Sequence, residues 1–300
     1  MARLDQASAG CRASVRQPRG EDLHRWKTRR LMMSNDDMLN RSLALLTEAG
    51  IDRLASSCVV IAGCGGVGGA MALTLCRMGV QTFKLADPGV FDPPDMNRQW
   101  AATGATLGRN KALVYRELIL DLNPQAKVEI FVEGITADNQ DEFLGGADIL
   151  VDCLDANVTH VLRESIHAKA RQRGVFSVAG PIMGFGCFAL CSAPDGLAMD
   201  YWTETLKGAK EQGSLPRVFD EIFVPQHMQA IVRSLEVGKV PTVAVGVLIA
   251  TSLLATECVN YLLHDLVPGF REPIVLPKVM FFDLNRMNHK VLDVTQGALA

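Results

Sequence analysis

The sequence contains eight cysteines but no C-x-x-C pair, because the closest two, Cys187 and Cys191, are four positions apart. Closely spaced cysteine pairs are common ligands of structural zinc sites, so we expect no zinc. The N-terminal region also lacks the apolar core of a secretory signal. Disulfides are therefore not expected, and a reducing cytoplasm is the predicted location.

A strong charge of either sign is absent, since the net charge is −3. This balance gives no reason to expect binding to DNA. It hides a basic N-terminal segment, because residues 1–30 hold eight Arg or Lys against three acidic residues. The segment has little apolar periodicity, and we predict that residues 1–34 form a disordered basic tail.

No apolar run reaches the roughly 20 residues that span a bilayer. A strongly apolar, uncharged stretch covers 240–256 and is 17 residues long, with Pro241 near its start and Glu257 directly after it. These flanks favour a buried helix in a soluble protein. We therefore expect no association with a membrane.

Apolar strands alternate with helical segments along the first 180 residues. Predicted strands begin near Cys58, Gln81, Lys127, Ala147 and Val175. The alternation predicts an α/β fold, a Rossmann-like mainly parallel sheet with helices on both faces, extended by a C-terminal antiparallel section. Residues 35–180 form the predicted nucleotide-binding half. Residues 181–300 are predicted to add a crossover region, the apolar helix and the last strands of the same domain.

Three further segments have local predictions. Leu39, Leu43 and Leu46 are spaced for one face of an amphipathic helix over 36–49. Residues 197–239 are mixed, polar and weakly periodic, so they predict no clear element. The stretch from Val279 to Val294 reads as a hairpin that turns near 285–288.

A glycine-rich turn follows the first buried strand. Gly63, Gly65 and Gly68 form a G-x-G-x-x-G pattern, with Gly66 inside it. Such a turn at the start of a helix presents backbone N–H groups to a phosphate. Asp87 ends the second strand, where a carboxylate can hold ribose hydroxyls. The glycine turn and Asp87 together fit a binding site for NAD, but they fit a site for any adenosine nucleotide equally well.

Two cations beyond Asp87 favour a nucleoside triphosphate. Arg98 and Lys111 bracket a loop and a helix start. Positive charge there would offset the β- and γ-phosphates during attack at the α-phosphorus, whereas a redox enzyme leaves both residues without a role. The alternative for either residue alone is an ordinary surface cation.

Five ordered landmarks resemble the superfamily that includes ThiF, MoeB, HesA and the adenylation domains of ubiquitin-activating enzymes. The resemblance covers about residues 37–263. The landmarks are Asn40-Arg41, the motif GCGGVG, Asp87, the motif NRQ at 97–99 followed by Lys111, and the motif DCLD at 152–155.

The resemblance implies a role for each matching residue. Gly63, Gly65, Gly66 and Gly68 shape the nucleotide turn, and Asp87 holds the ribose. Arg98 and Lys111 contact the triphosphate with support from Asn97 and Gln99. Asp155 coordinates Mg²⁺, although a strand-end Asp can instead cap a helix. Arg41 reaches the triphosphate of the partner subunit, which makes a homodimer part of the active site.

The chain also departs from the family pattern. Gly89 replaces a second acid, Asp95 replaces an Asn, Ser42 follows Arg41, and Ala156 replaces the Asn after Asp155. Zinc-binding cysteine pairs and a crossover-loop nucleophile are missing. Cys187 and Cys191 lie in an apolar strand pattern, which favours buried thiols over reactive ones. We therefore expect no covalent thioester.

Together, these residues and the resemblance predict that the chain is an ATP- and Mg²⁺-dependent adenylyltransferase. It would activate a carboxylate as an acyl-adenylate and release pyrophosphate, with a substrate such as the C-terminus of a ubiquitin-like or sulfur-carrier protein, a peptide or a small acid. Two alternatives stay open. One is a catalytically silent partner subunit or binding module of the same fold, and the other is an NAD-dependent oxidoreductase.

Overall fold

The computed structural model describes residues 38–155, 160–202, 217–235 and 241–295. The predicted basic tail, 1–34, lies outside these ranges. Within them the chain builds one sheet of nine strands. The predicted mainly parallel sheet with a C-terminal antiparallel section is confirmed.

Five parallel strands form one half of the sheet in the order β3-β2-β1-β4-β5. The chain moves outward from β1 in one direction and then returns to add β4 on the other side. This reversal places a topological switch point between β1 and β4, where ligands bind in open α/β sheets. The strands are β1 Cys58–Ala62, β2 Thr82–Ala86, β3 Lys127–Phe131, β4 Ile149–Asp152 and β5 Phe176–Ala179.

Helices cover both faces of the parallel strands, as the sequence predicts. Side chains alternate along a strand, so Val59 and Ile61 pack with α2 and α3 while Val60 and Ala62 pack with α4 and α5. A short 3₁₀ helix, Pro93–Asn97, lies between β2 and α3. The helices are α1 Leu43–Ser56, α2 Gly66–Arg77, α3 Lys111–Leu122, α4 Gln140–Leu144 and α5 His160–Gln172.

Antiparallel strands continue the same sheet past β5. β7 pairs with β5 on one side and β8 on the other, and the predicted hairpin is the β8–β9 pair. Within its described residues, the stretch 197–239 contains two helices of more than five residues that the sequence did not predict, and residues 200–202 are also helical. The elements are β6 Ile182–Met183, β7 Gly186–Ser192, α6 Arg217–Ile222, α7 Pro225–Leu235, α8 Ala244–Leu263, β8 Lys278–Asp283 and β9 Asn288–Asp293.

The apolar helix α8 packs against α2 and β7. Among the described residues it is the one helix with the length and composition to cross a bilayer, and 61% of its most apolar stretch is buried in the protein. Its Glu257 is 1% exposed and accepts hydrogen bonds from Arg271 and from the backbone N–H of Ile274. The helix is therefore a core element of this fold.

The first helix differs from its prediction. Residues 38 and 39 are helical as predicted, but a turn at 40–42 follows, and α1 runs from Leu43 to Ser56 with an interruption at Thr47, where φ is 60°. Leu39 and Leu46 are buried as expected, but Leu43 is 41% exposed. Beyond the kink, the buried residues of α1 include Ile51 and Leu54.

Close packing between α2 and α3 generates a stability prediction. A Cβ at Gly69 would lie 2.0 Å from the ring of the fully buried Tyr115. We expect Gly69→Ala to lower the free energy of unfolding by roughly 1–3 kcal/mol, although alanine is the better helix former by about 1 kcal/mol. Urea denaturation measures the change. Gly104→Ala is the control, because a Cβ there meets no atom within 4 Å; equal stability of both variants would contradict the prediction.

Candidate functional site

The turn after β1 touches the end of β4 at the switch point. Gly63 adopts φ +93°, and a Cβ there would lie 2.3 Å from the carbonyl oxygen of Cys153. A Cβ at Gly68 would lie 1.8 Å from the carbonyl oxygen of Gly63. Both positions therefore require glycine for close backbone approach rather than for ligand contact.

The two middle glycines differ from each other. Gly65 is the N-cap of α2, and the nearest atom to a Cβ there is Gln99 Nε2 at 3.8 Å. Gly66 faces α8, where a Cβ would lie 2.9 Å from Val247. Gly65 thus leaves room at the start of a 12-residue helix, the position at which helix N–H groups and the helix dipole favour an anion.

Asp87 follows β2 at the same edge of the sheet. Its Oδ2 accepts from the backbone N–H of Cys64 at 2.6 Å, and its Oδ1 accepts from that of Gly89 at 2.7 Å. Burial raises the pKa of Asp87, and the amides of Gly89 and Cys64 limit the rise. The charge of Asp155 also acts to raise this pKa, so the two carboxylates lie within electrostatic reach.

Asn110 fixes α3 beside Asp87, a role that the sequence reading missed. Its amide donates to the carbonyl oxygens of Asp87 and Gly89, while its Oδ1 caps α3 by accepting from Leu113. An Asn directly before a helix is a recognisable N-cap signal. The cap places Lys111 at the first position of α3.

Arg98 and Lys111 meet at one carboxylate, that of Asp95. Lys111 Nζ lies 3.1 Å from Asp95 Oδ2, and Arg98 Nη2 lies 3.7 Å from Asp95 Oδ1. The sequence reading brings the two cations together but treats Asp95 only as a departure from the family. The structure makes Asp95 the centre of the cluster.

The predicted supporting residues join this cluster. Gln99 Nε2 donates to Asp95 Oδ1 at 2.5 Å, and Gln99 Oε1 is a buried acceptor with no partner among the described residues. Asn97 accepts from Arg98 and donates to the carbonyl oxygen of Thr242. The NRQ motif therefore connects the cations to the segment that leads into α8.

Asp155 lies in the loop after β4 and is exposed. Arg163 on α5 donates to the carbonyl oxygens of Leu154 and Asp155, which fixes this loop. Within the described ranges no group of three His, Cys, Asp or Glu side chains could hold a metal. One exposed carboxylate nevertheless suits Mg²⁺, which takes most of its ligands from substrate phosphates and water. The departure at Ala156 lies outside the described residues.

Asp152 anchors the end of β4 beneath that loop. Its Oδ2 lies 2.8 Å from His167 Nε2 and 3.1 Å from Arg163 Nε. Burial alone would raise the pKa of Asp152, but the hydrogen bond to His167 and the charges of His167 and Arg163 lower it below its usual value. Asp152 is therefore a structural anion rather than a ligand-binding one.

Arg41 does not join the cluster within one chain. It is exposed in the turn before α1. Among the residues that the structure describes, no hydrogen bond or ion pair connects it to Asp95, Arg98 or Lys111. A contribution from Arg41 to a nucleotide site therefore stays a prediction that requires a second subunit.

The thiols of β7 are buried, as the strand pattern predicts. Cys187 and Cys191 have no exposed surface. Burial raises the pKa of Cys187 to about 12 and the pKa of Cys191 well above its usual value. A neutral, inaccessible thiol is a poor nucleophile.

A glycine turn, a strand-end carboxylate and two cations at the switch point define an α/β nucleotide-binding protein. Comparison with family models identifies the family: residues 39–298 match the ThiF family. The match covers most of the chain, so the chain belongs to the ThiF family.

Two curated relatives illustrate the similarity. Protein HesA, heterocyst, of Trichormus variabilis is 35% identical over 106 residues, which are 35% of this chain and 40% of HesA. The sulfur carrier protein ThiS adenylyltransferase of Escherichia coli is 28% identical over 158 residues, which are 51% of this chain and 62% of that protein. The matched region thus spans less than two thirds of either relative.

Solved structures share the fold over nearly the whole chain. PaaA aligns with a TM-score of 0.61 at 19% identity, covering 97% of this chain and 78% of PaaA. Escherichia coli MccB crystallised with ATP aligns with a TM-score of 0.64 at 17% identity, covering 91% and 77%. Identities this low establish the architecture alone.

The buried thiols generate a chemical prediction. With a pKa of about 12, Cys187 is almost wholly neutral at pH 8, and its reactivity should rise roughly tenfold per pH unit while the fold persists. We expect iodoacetamide to label Cys187 and Cys191 at least ~100-fold more slowly in folded than in urea-denatured protein, as measured by peptide mass spectrometry. Similar rates in both states would contradict the burial argument.

Proposed function

We propose that this chain is an ATP- and Mg²⁺-dependent adenylyltransferase that activates a carboxylate as an acyl-adenylate. One observation carries the proposal: Arg98 and Lys111 converge beside the β1 turn and Asp87. A dinucleotide site has no need of two cations beyond its ribose carboxylate. A triphosphate does, because charge on the β- and γ-phosphates must be neutralised as pyrophosphate leaves.

The sheet edge supplies a position for each part of ATP. Asp87 accepts ribose hydroxyls, and the open space at Gly65 receives phosphate at the start of α2. Lys111 and Arg98 bind the outer phosphates. Asp155 holds Mg²⁺, which supplies further charge neutralisation when bound.

Catalysis in this scheme is positioning and charge stabilisation. A substrate carboxylate oxygen attacks the α-phosphorus, the bond to the bridging oxygen breaks, and pyrophosphate leaves with that electron pair. Arg98 and Lys111 stabilise the negative charge that grows on the leaving phosphates. No proton transfer is needed, since the nucleophile is already ionised at neutral pH.

The proposed substrate is a carboxylate at the end of a protein or peptide chain, handled in the cytoplasm. Support comes from the sulfur carrier protein ThiS adenylyltransferase, whose name gives a protein as its substrate, and from MccB, which was crystallised with MccA. The buried Cys187 and Cys191 further support direct transfer of the acyl group from the adenylate, without a thioester on either residue.

A second candidate is a catalytically silent member of the family. The pairing of Asp95 with both cations favours it, because each cation already has an internal partner. Gly89, which stands where the family has an acid, points the same way. Adenylation activity separates the two candidates.

Exchange of labelled pyrophosphate into ATP, with the cognate carboxylate present, is the activity test. We expect Arg98→Ala and Lys111→Ala each to reduce exchange at least tenfold, since losing one contact to transition-state charge costs about 2–4 kcal/mol. Arg109→Ala is the matched control, because Arg109 pairs with Glu117 on the surface. Tight NAD binding without ATP binding would overturn the proposal.

We further propose a homodimer in which Arg41 completes the partner's site. Mixing Arg41→Ala protein with Lys111→Ala protein should restore about a quarter of wild-type activity, because half of the dimers are mixed and each mixed dimer has one intact site. A mixture of Arg98→Ala with Lys111→Ala is the control and should restore none. Full activity of an Arg41→Ala protein, or of a monomer in solution, would contradict shared sites.

A further inference from the structure

Asp95 is the most heavily engaged carboxylate at the sheet edge. Its Oδ2 accepts from the backbone N–H of Asp92 at 3.2 Å and pairs with Lys111 at 3.1 Å. Its Oδ1 accepts from Gln99 and faces Arg98. The residue is 9% exposed, so water screens these contacts weakly.

We propose that Asp95 is the internal counter-ion of the nucleotide site, occupying Lys111 and Arg98 until a polyphosphate displaces it. The inference rests on the proposed function, because it concerns the same two cations. Asp95 thereby sets how tightly the site holds phosphate.

The charged side chains at the carboxyl ends of the parallel strands support this role for Asp95. The proposed nucleotide site contains two cations, Arg98 and Lys111, and three carboxylates, on Asp87, Asp95 and Asp155, which gives a net charge of −1 when all five are ionised. The neighbouring pair of Arg163 and Asp152 adds no net charge. This balance weakens the attraction for a free polyphosphate, whereas the magnesium complex of ATP brings its own charge compensation. Removing the charge of Asp95 makes the edge neutral.

Asparagine can replace this carboxylate without breaking the cluster. The amide oxygen of the new asparagine can still accept the hydrogen bond from the backbone N–H of Asp92. Gln99 can rotate its own amide by half a turn, so that Oε1, which lacks a partner among the described residues, accepts from the new amide group. The substitution Asp95→Asn therefore removes charge more than structure.

The test is isothermal titration calorimetry of the full chain with inorganic tripolyphosphate, Mg²⁺-ATP and AMP. We expect Asp95→Asn to bind tripolyphosphate and Mg²⁺-ATP about tenfold more tightly than wild type, because one negative charge near the phosphates is gone. The affinity for AMP should change less than about twofold, since AMP lacks the outer phosphates. The gain in tripolyphosphate affinity requires neither adenosine recognition nor turnover.

Asp92→Asn is the matched control, because it removes the same charge three residues earlier from an exposed side chain. Asp92 and Asp95 form a capping box, and the amide oxygen of asparagine can still accept the hydrogen bond from the backbone N–H of Asp95. We expect it to leave both affinities within about twofold of wild type. Thermal melting of each variant verifies folding.

Unchanged or weaker binding of tripolyphosphate by folded Asp95→Asn would overturn the counter-ion role. An equal gain in Asp92→Asn would also overturn it, since a general charge effect would then explain the result. If Mg²⁺-ATP binds no variant while tripolyphosphate still binds Asp95→Asn more tightly, the counter-ion role stands and the proposed ATP chemistry fails.

Discussion

The turn after β1 lies against the loop after β4 so closely that neither Gly63 nor Gly68 has room for a side chain. The same turn bonds to the end of β2, because Gly63 donates to the carbonyl oxygen of Ala86 and Cys64 donates to Asp87. Three strand ends are thus held in one register by backbone contacts. Every side chain of the candidate site depends on that register for its position.

The balance of positive and negative charge at these strand ends distinguishes the candidate site from a simple phosphate-binding loop. The helix N-terminus at Gly65 and the cations Arg98 and Lys111 favour an anion, while Asp87, Asp95 and Asp155 oppose one. Opposed charges of this kind make binding depend on what accompanies the phosphate. A metal complex satisfies both sets at once, so the acidic residues affect the choice of ligand as well as the affinity for phosphate.

Local patterns in the sequence predicted the parts of the site that backbone geometry determines. The spacing of the glycines and the strand-end position of Asp87 follow from residue order alone, and both lie where parallel strands end. The pairing of Asp95 with Lys111 could not be read from the sequence, because it depends on how a loop folds back onto α3. The bounds of α1 were predicted wrongly, because the turn at 40–42 and the kink at Thr47 interrupt the helix without a signal in the spacing of the leucines. The helices α6 and α7 were missed because their stretch is polar overall, although α7 spaces the buried Met228 and Ile231 about one helical turn apart.

The position of β7 in the sheet has a consequence for synthesis on the ribosome. All seven of its residues are buried, and its outer edge is covered by β8, which begins only at Lys278. Translation at ~5–20 residues per second delays β8 by on the order of ten seconds. During that interval the nascent chain exposes an apolar strand edge, which is a template for pairing with other chains. This strand edge therefore needs protection during synthesis, before the folded chain can bind a nucleotide.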